Sequence, residues 1–378
     1  MNHRDDCQCG CALASWAVSS HDEAASDGIG SHPPDTDGTA RSATPTAPFY
    51  RDAGGGTTAN GILGCGAYLP ERVVGSDEAG ASAGVTGEWI ETKTGIRARR
   101  YAHPDQAASD LAEQAAHEAL RDAGLSADQL SLIVVATSTP DSPQPPTACL
   151  LQDRIGARHA AAFDLNAVCS GFVYAAEAAS RMVPPGGFAL VVGVDIYSRI
   201  IDPADRRTVS LFGDGAGAVV VGPVPEGRGV IATHLASYGD HHDLIKVPAG
   251  GSRIPASKES LQDGLHYFTM NGYGVRTFVR DRLPGAVHSL LANAEVDPAE
   301  VRHFVPHQAN GRMIDELLPE LDLSQAVVHR TLERYGNTGA ASLPVTLAAA
   351  RQEIAPGDLV LLAAFGGGMT TGLMLLRW

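Results

Sequence analysis

The chain has 378 residues, 44% of them hydrophobic and 19% charged, enough for two or three domains of roughly 150 residues or one large duplicated fold. Twenty-eight basic against 43 acidic residues leave a net charge of −15, which argues against nucleic acid as the main partner. No apolar run approaches the roughly 18 residues of a membrane span, and the first residues lack the apolar stretch of a secretory leader, so the composition reads as a cytoplasmic globular protein with no membrane partner.

Residues 1–58 are rich in Ser, Thr, Asp, Ala, Gly and Pro and poor in large apolar groups. Such a segment cannot offset its ordering entropy and reads as a flexible extension. Cys7, Cys9 and Cys11 lie in it. Without a His or Cys partner at finger-like spacing they read as a thiol-bearing tail, and no metal is expected. Six cysteines in all are too few for a disulfide scaffold of this length.

The first clear strand falls at residues 61–69, and from there strands and helices alternate, the pattern of an α/β fold. Residues 130–139 and 188–197 are near-continuous apolar runs, as expected of strands buried on both faces. A further strand reads at 161–168, and helices read at 107–123 and 170–182. Residues 131–137 correspond in placement to 302–308. Each is followed at similar spacing by a second apolar strand (190–195 and 361–366) and by a Gly-rich turn with a strand (213–221 and 366–375). The repetition points to two similar halves, 59–225 and 226–378, joined near residues 223–229. Active sites in such folds favour the junction between halves and the carboxyl ends of strands.

Cys169 sits where the strand at 161–168 meets the following helix. A helix N-terminus favours the thiolate, the form that takes an acyl group as a thioester; on position alone a buried cysteine acting as a small hydrophobe is an equal reading. His307 ends a strand of the second half (Val305-Pro-His-Gln-Ala-Asn), and Asn337 lies in a Gly-flanked turn before a helix (Arg334-Tyr-Gly-Asn-Thr-Gly). Cys, His and Asn at three such junctions of a duplicated chain point to one site. The turn Phe365-Gly-Gly-Gly-Met has the backbone N–H groups to hold an oxyanion.

Six motifs in order, EWIETKTGIRARR, FDLNAVCSGFVYA, FGDGAGAVVV, VPHQANGRMI, RYGNTGAAS and AFGGGMTTG, resemble those of the β-ketoacyl-acyl-carrier-protein synthase III family of the thiolase superfamily. The resemblance runs from about residue 59 to Trp378. It implies a thiolase-like α/β fold with two similar halves in an αβαβα layered arrangement, and a homodimer. It implies a Cys169–His307–Asn337 triad, with the backbone N–H groups of Cys169 and Gly367 as the oxyanion hole. Acyl-CoA would load Cys169, and decarboxylative condensation with a malonyl thioester on an acyl carrier protein would follow, without a cofactor. Trp89 and Arg206 resemble the pair that flanks the adenine of CoA, and Arg312 resembles a basic contact at the tunnel mouth. Arg276 and Arg280, four apart on one helix face, are candidates for a carrier-docking patch.

Three departures point to a specialised starter unit, in polyketide or specialised fatty acid synthesis. Asp315, Glu316 and Glu320 stand on the helix after His307, where housekeeping members carry basic residues. Lys93 replaces an Arg, which loosens a phosphate contact. Gln144, in a Pro-rich loop, occupies the region of the residue that closes the acyl pocket from the partner subunit. Simple transfer of the acyl group to a hydroxyl, amine or carrier thiol is the competing reading. Thiolase proper is disfavoured because no cysteine follows Cys169.

Overall fold

The computed structural model describes residues 49–51 and 59–378. Strand β1 (Phe49–Arg51) comes first, then β2 (Asn60–Tyr68) and a small two-stranded sheet of β3 (Arg72–Gly75) and β4 (Ala98–Tyr101). Between β3 and β4 run α1 (Ser76–Gly80) and α2 (Gly87–Thr94). The first half continues with α3 (Ala108–Ala123), β5 (Leu130–Ala136), α4 (Thr147–Arg154), β6 (Ala161–Leu165), α5 (Gly171–Met182), β7 (Phe188–Ile196), α6 (Arg206–Val209) and β8 (Asp214–Pro223). The second half opens with β9 (Gly229–Ser237), β10 (Ile245–Lys246), α7 (Lys258–Gln262), β11 (Thr269–Met270) and the long α8 (Gly272–Asn293). It closes with β12 (Val301–Pro306), α9 (Gly311–Leu317), β13 (Val327–Val328), α10 (Leu332–Tyr335), α11 (Ser342–Ala350), β14 (Leu359–Gly366) and β15 (Thr370–Arg377).

The two large sheets have one plan. The first has the order β2-β8-β7-β5-β6 and the second β1-β9-β15-β14-β12-β13. In the first, β2–β8 and β7–β8 are antiparallel while β5–β7 and β5–β6 are parallel. In the second, β9–β15 and β14–β15 are antiparallel while β12–β14 and β12–β13 are parallel. Strands β5, β7 and β8 therefore correspond to β12, β14 and β15, the segments paired by the sequence repeat. Each half also leads into a central helix through a short 3-10 turn, Val168–Ser170 before α5 and Gly339–Ala341 before α11.

Packing explains the apolar strand runs. Helices α5 and α11 lie between the sheets and touch both, with Phe172, Val173, Leu343 and Leu347 packed against Val134, Val191, Leu362 and Met374. On the outer face of the first sheet, α3 buries Leu111, Ala112, Ala115, Ala116 and Ala119, the i, i+3, i+4 spacing of a helix with one apolar face. Helix α8 does the same on the second sheet through Phe278, Leu283 and Leu290. Both sheets are covered on both faces, so their central strands have no side to expose to water. The layers run αβαβα.

The strands read at 130–139 and 161–168 end earlier, at Ala136 and Leu165. After Ala136 the chain turns aside because Ser138 and Thr139 bond to the Asp195 carboxylate. After Leu165 the Val168 N–H bonds to Asn166 Oδ1 at 3.0 Å, closing a turn. Within the segment read as an extension, β1 pairs antiparallel with β9, Phe49 opposite His234 and Arg51 opposite Ala232. The remainder of that segment, with Cys7, Cys9 and Cys11, lies outside the described residues.

Candidate active site

Cys169 is presented by a strained turn. Val168 has φ 49°, a region that costs a β-branched residue steric energy and is held only where the surroundings over-determine it. One constraint comes from the second half. A Cβ on Gly366 would lie 2.8 Å from the Cys169 nitrogen and 2.9 Å from the Ala167 oxygen, so the end of β14 packs backbone to backbone against the turn. Gly367 follows, its Cβ position 3.3 Å from Val168 Cγ2. Cys169 is 7% exposed. Burial, reinforced by the Asp195 carboxylate, pushes its thiol up to about 12, and this outweighs the helix N-terminus that the sequence reading credited with favouring the thiolate.

His307 follows β12 and is buried. Its Nδ1 is 2.6 Å from Ser342 Oγ, in the first turn of α11. Burial holds the imidazole down to about 3, so it is neutral at physiological pH. The Ser342 hydroxyl can donate to Nδ1, the arrangement that puts the ring proton on Nε2 toward the cavity that His307 lines. Linkage fixes the sign of a stability effect. The folded imidazole titrates near 3 and the unfolded one near 6.5, so its contribution is complete above about pH 6.5 and is lost as pH falls toward 3. Asp214, which burial raises to about 6, has the opposite slope, gaining stability as pH drops through that value. In urea titrations between about pH 6.5 and 4, His307→Gln is therefore expected to lose stability less steeply than the parent; parallel slopes would refute the buried neutral state.

Asn337 is held across the junction of the halves. Its N–H donates to Leu211 O at 2.9 Å, and its carbonyl accepts from Gly213 N at 3.0 Å. Gly336 before it adopts φ 66°, which favours glycine. The Asn337 Oδ1 accepts from Gly339 N–H at 2.9 Å, leaving the Nδ2 donors for the cavity. Cys169, His307 and Asn337 all line this cavity, which has a volume of about 210 Å³, over an apolar floor that includes Leu211, Phe212 and Phe268.

Three supporting residues were not singled out in the sequence. Asp195 is the penultimate residue of β7 and has no exposure. Its Oδ1 accepts from Ser138 N (2.8 Å), Ser138 Oγ (2.9 Å) and Thr139 Oγ1 (3.0 Å), and its Oδ2 from Ala340 N (2.8 Å). Burial pushes its carboxyl up against the pull of these donors. Tyr197, two residues on, is buried with its hydroxyl 3.1 Å from Ser138 Oγ. Ser342 orients His307. The available signal was the lone Asp closing an apolar run (Leu190-Val-Val-Gly-Val-Asp), since a buried carboxylate needs several donors. Ser342 carried no such mark.

The rim is charged, and part of it is internally paired. Lys93, Arg276, Arg312 and Glu316 line the mouth. Arg276 makes a two-pronged contact with Glu316 at 2.8 and 2.7 Å, and Arg312 Nε donates to Thr92 O at 3.0 Å. Arg280 pairs with Asp281 at 3.1 Å. The Arg206 guanidinium lies 5.8 Å from the Trp89 ring centroid, so the two residues expected to flank a base face each other; neither lines the 210 Å³ cavity. Gln144 is exposed on the loop before α4 and is likewise absent from the lining. Among the described residues no cluster of three or more His, Cys, Asp or Glu forms a metal-binding set, and no helix is long and apolar enough to cross a membrane.

Known proteins share this fold. Residues 163–239 match the family described as 3-oxoacyl-[acyl-carrier-protein (ACP)] synthase III, and residues 291–378 match its C-terminal counterpart. The chain is 56% identical over 322 residues to acetoacetyl CoA synthase NphT7 of Streptomyces sp. (strain CL190), covering 84% of this chain and 98% of that one. It is 44% identical, with the same coverage, to a β-ketoacyl-[acyl-carrier-protein] synthase III of Symbiobacterium thermophilum. The crystal structure of 3-oxoacyl-[acyl-carrier-protein] synthase III from Aquifex aeolicus superposes with a TM-score of 0.76 at 37% identity, covering 85% of this chain and all of that one. With the αβαβα fold, these matches make the chain a member of the 3-oxoacyl-[acyl-carrier-protein] synthase III family and a condensing enzyme of that type.

Proposed function

We propose that the enzyme loads a short acyl group from an acyl-CoA onto Cys169 and condenses it with a malonyl thioester, releasing CO₂ and a β-ketoacyl thioester. The observation that carries this is a buried cysteine sharing one cavity with His307 and Asn337, each held by a hydrogen bond on its far side so that Nε2 and Nδ2 are placed to donate. In the first step the Cys169 sulfur bonds to the acyl carbon, the carbon–sulfur bond of the acyl-CoA breaks, and the thiol proton ends on the departing CoA. The backbone N–H groups of Cys169 and Gly367 hold the oxyanion of that exchange. In the second step the bond to the malonyl carboxylate breaks as CO₂ leaves, and its electron pair forms an enolate. His307 and Asn337 donate to the enolate oxygen; the carbanion attacks the acyl carbon and Cys169 departs. Fixed donors aimed at developing charge suit this step, which removes no proton from the substrate.

The Arg276–Glu316 pair at the rim and the 56% identical acetoacetyl CoA synthase favour CoA as the carrier of the malonyl group as well. Arg276 is bound by Glu316, and Asp315 by Arg330 at 2.7 Å. A docking patch for an acidic carrier protein needs unpaired cations. The carrier-borne extender is the second reading, supported by the 44% identical relative. Acyl transfer to a hydroxyl is disfavoured, since it needs a general base titrating near the working pH and burial holds His307 at about 3.

The homodimer has support in β6, a partly exposed strand at the edge of its sheet. Asp164 of β6 accepts from the Thr147 and Ala148 N–H groups at 2.8 Å, anchoring the Gln144 loop beside that edge. A partner placed there would receive Gln144 at its acyl pocket.

The test is intact-protein mass spectrometry after exposure to a panel of acyl-CoAs, with a chase of either malonyl-CoA or malonyl-carrier protein. The expected result is an acyl adduct discharged by malonyl-CoA with CO₂ release, at least tenfold faster than by the carrier form. A faster carrier chase would restore the second reading, and an adduct that survives both chases would reject condensation.

A further inference from the structure

We propose that His329 is a positioning residue for the enolate donor His307, acting through the Gln308 amide, and that its hydrogen bond to His303 makes this setting sensitive to acid; the proposal rests on the reading of His307 given above. The segment that carries His329 has little backbone to hold it. Strand β13 is two residues long, pairing Val327 with His303 and Val328 with Phe304, and the His329 N–H adds a bond to Phe304 O at 2.9 Å. Side chains tie the segment to the His307 loop. Gln308 has no exposure. Its Nε2 donates to Pro306 O at 2.7 Å and to His329 O at 3.3 Å, and its Oε1 accepts from Thr331 N at 3.0 Å and Leu332 N at 3.2 Å. Two carbonyls on one side and two N–H groups on the other leave the amide a single orientation. The Gln308 N–H also points to Ser342 Oγ at 3.4 Å, the hydroxyl that lies 2.6 Å from His307 Nδ1. A shift of residues 329–332 therefore moves Gln308 and, with it, the adjoining His307.

The imidazole of His329 belongs to a buried file of titratable groups that the condensation does not use. His329 Nε2 lies 2.9 Å from His303 Nδ1, His303 Nε2 lies 3.1 Å from Asp358 Oδ2, and the two rings stack with 5.2 Å between centroids. Both histidines are buried. Against the effect of burial, the Ala355 N–H and His303 hold the Asp358 carboxyl below its usual range. A carboxylate has no proton to give, so His303 donates from Nε2. Its Nδ1 then accepts from a neutral His329 or, with one added proton, donates to it. A second added proton breaks the file, because two N–H groups face each other across 2.9 Å and two positive charges share stacked, buried rings. Burial, and after it His303, holds the His329 imidazole below its ordinary value, which puts this break on the acid side of neutrality. Arg302 on β12 and Glu353 in the turn after α11 are the other charged groups that bear on the file.

The experiment starts from the acyl-Cys169 enzyme and follows CO₂ release after malonyl-CoA is added, from about pH 7.5 down to about pH 5. His307 is neutral over this range, so an acid limb belongs to another group. The parent is expected to slow by about tenfold or more across the range, the scale of a displaced donor. His329→Gln keeps a hydrogen-bonding group but takes up no proton, and its rate is expected to change by less than about twofold over the same range. A flat parent, or a variant that retains the parent's limb, would overturn the proposal. Gln308→Glu tests the link at the upper pH alone. It replaces the two donors that face Pro306 and His329 by an acceptor, and is expected to slow CO₂ release about tenfold or more while the burst of CoA from acylation keeps its size. Unchanged release, or equal losses in acylation and release, would leave Gln308 no positioning role and overturn the link. Failure of the function shows itself earlier: an enzyme that forms no adduct, or whose adduct survives malonyl-CoA at the upper pH, removes the reading of His307 on which the proposal rests.

Discussion

Cys169→Ala is expected to abolish the acyl adduct and to lower condensation by roughly 10⁴-fold or more, the scale seen when a covalent nucleophile is removed from an otherwise intact site. The substitution trades a sulfur for a hydrogen in a wall that Gly366 already crowds, so the turn and the central helix keep their packing. Decarboxylation of the malonyl group is expected to survive, because the donors for the enolate come from the second half of the chain. Adducts must be mapped by peptide, since Cys149 is exposed and Cys65 and Cys169 are buried. An alanine variant that still takes one acyl group per chain would show that another residue is the nucleophile.

The second large effect belongs to the donors. His307→Ala and Asn337→Ala are each expected to slow CO₂ release by about 10²- to 10³-fold, the usual cost of one preorganised oxyanion donor. Acyl-Cys169 should still accumulate in both, so the burst of free CoA persists while turnover falls. Asn337→Asp should cost more than Asn337→Ala, because it puts a negative charge beside the forming enolate. As His307 is held near 3 by burial, the rate should show no ionisation of this group between about pH 5 and 9. The two donors act on one oxygen, so the double variant should lose less than the product of the single losses. A His307→Ala enzyme that fails to acylate, yet decarboxylates normally, would reverse the assignment of roles.

What could be read in the sequence followed from how many residues carry each signal. The central strands are covered by helices on both faces, so β5 and β7 appear as unbroken apolar runs and their repetition as β12 and β14 is visible. The triad was visible for a different reason: each member lies in a short motif at the end of a strand. The strand ends were over-read because Thr137, Ser138 and Thr139 are β-compatible residues diverted by a carboxylate 57 positions away for Ser138. Such a pairing is tertiary and leaves no local period. Ser342 and Tyr197 were hidden similarly, since a serine in the first turn of a helix and a tyrosine after a strand are ordinary there. The charged rim was legible by residue type but not by pairing: Arg276 and Glu316 are 40 residues apart, and only the packing of α8 on α9 makes them neutralise each other.

The matching turns that lead into α5 and α11 carry a consequence for how this chemistry divides. They occupy the same place in the two repeats, yet one displays a thiol and the other, through Asn337, an amide. A protein built from two copies of one plan holds each loop in duplicate around its pseudo-dyad, so one copy is free to form covalent bonds while its twin only polarises. Substitutions in the first turn should alter which acyl chain is captured, and those in its twin how readily the captured chain is extended. Choice of cargo and speed of elongation can then drift apart in evolution without either repeat losing its core.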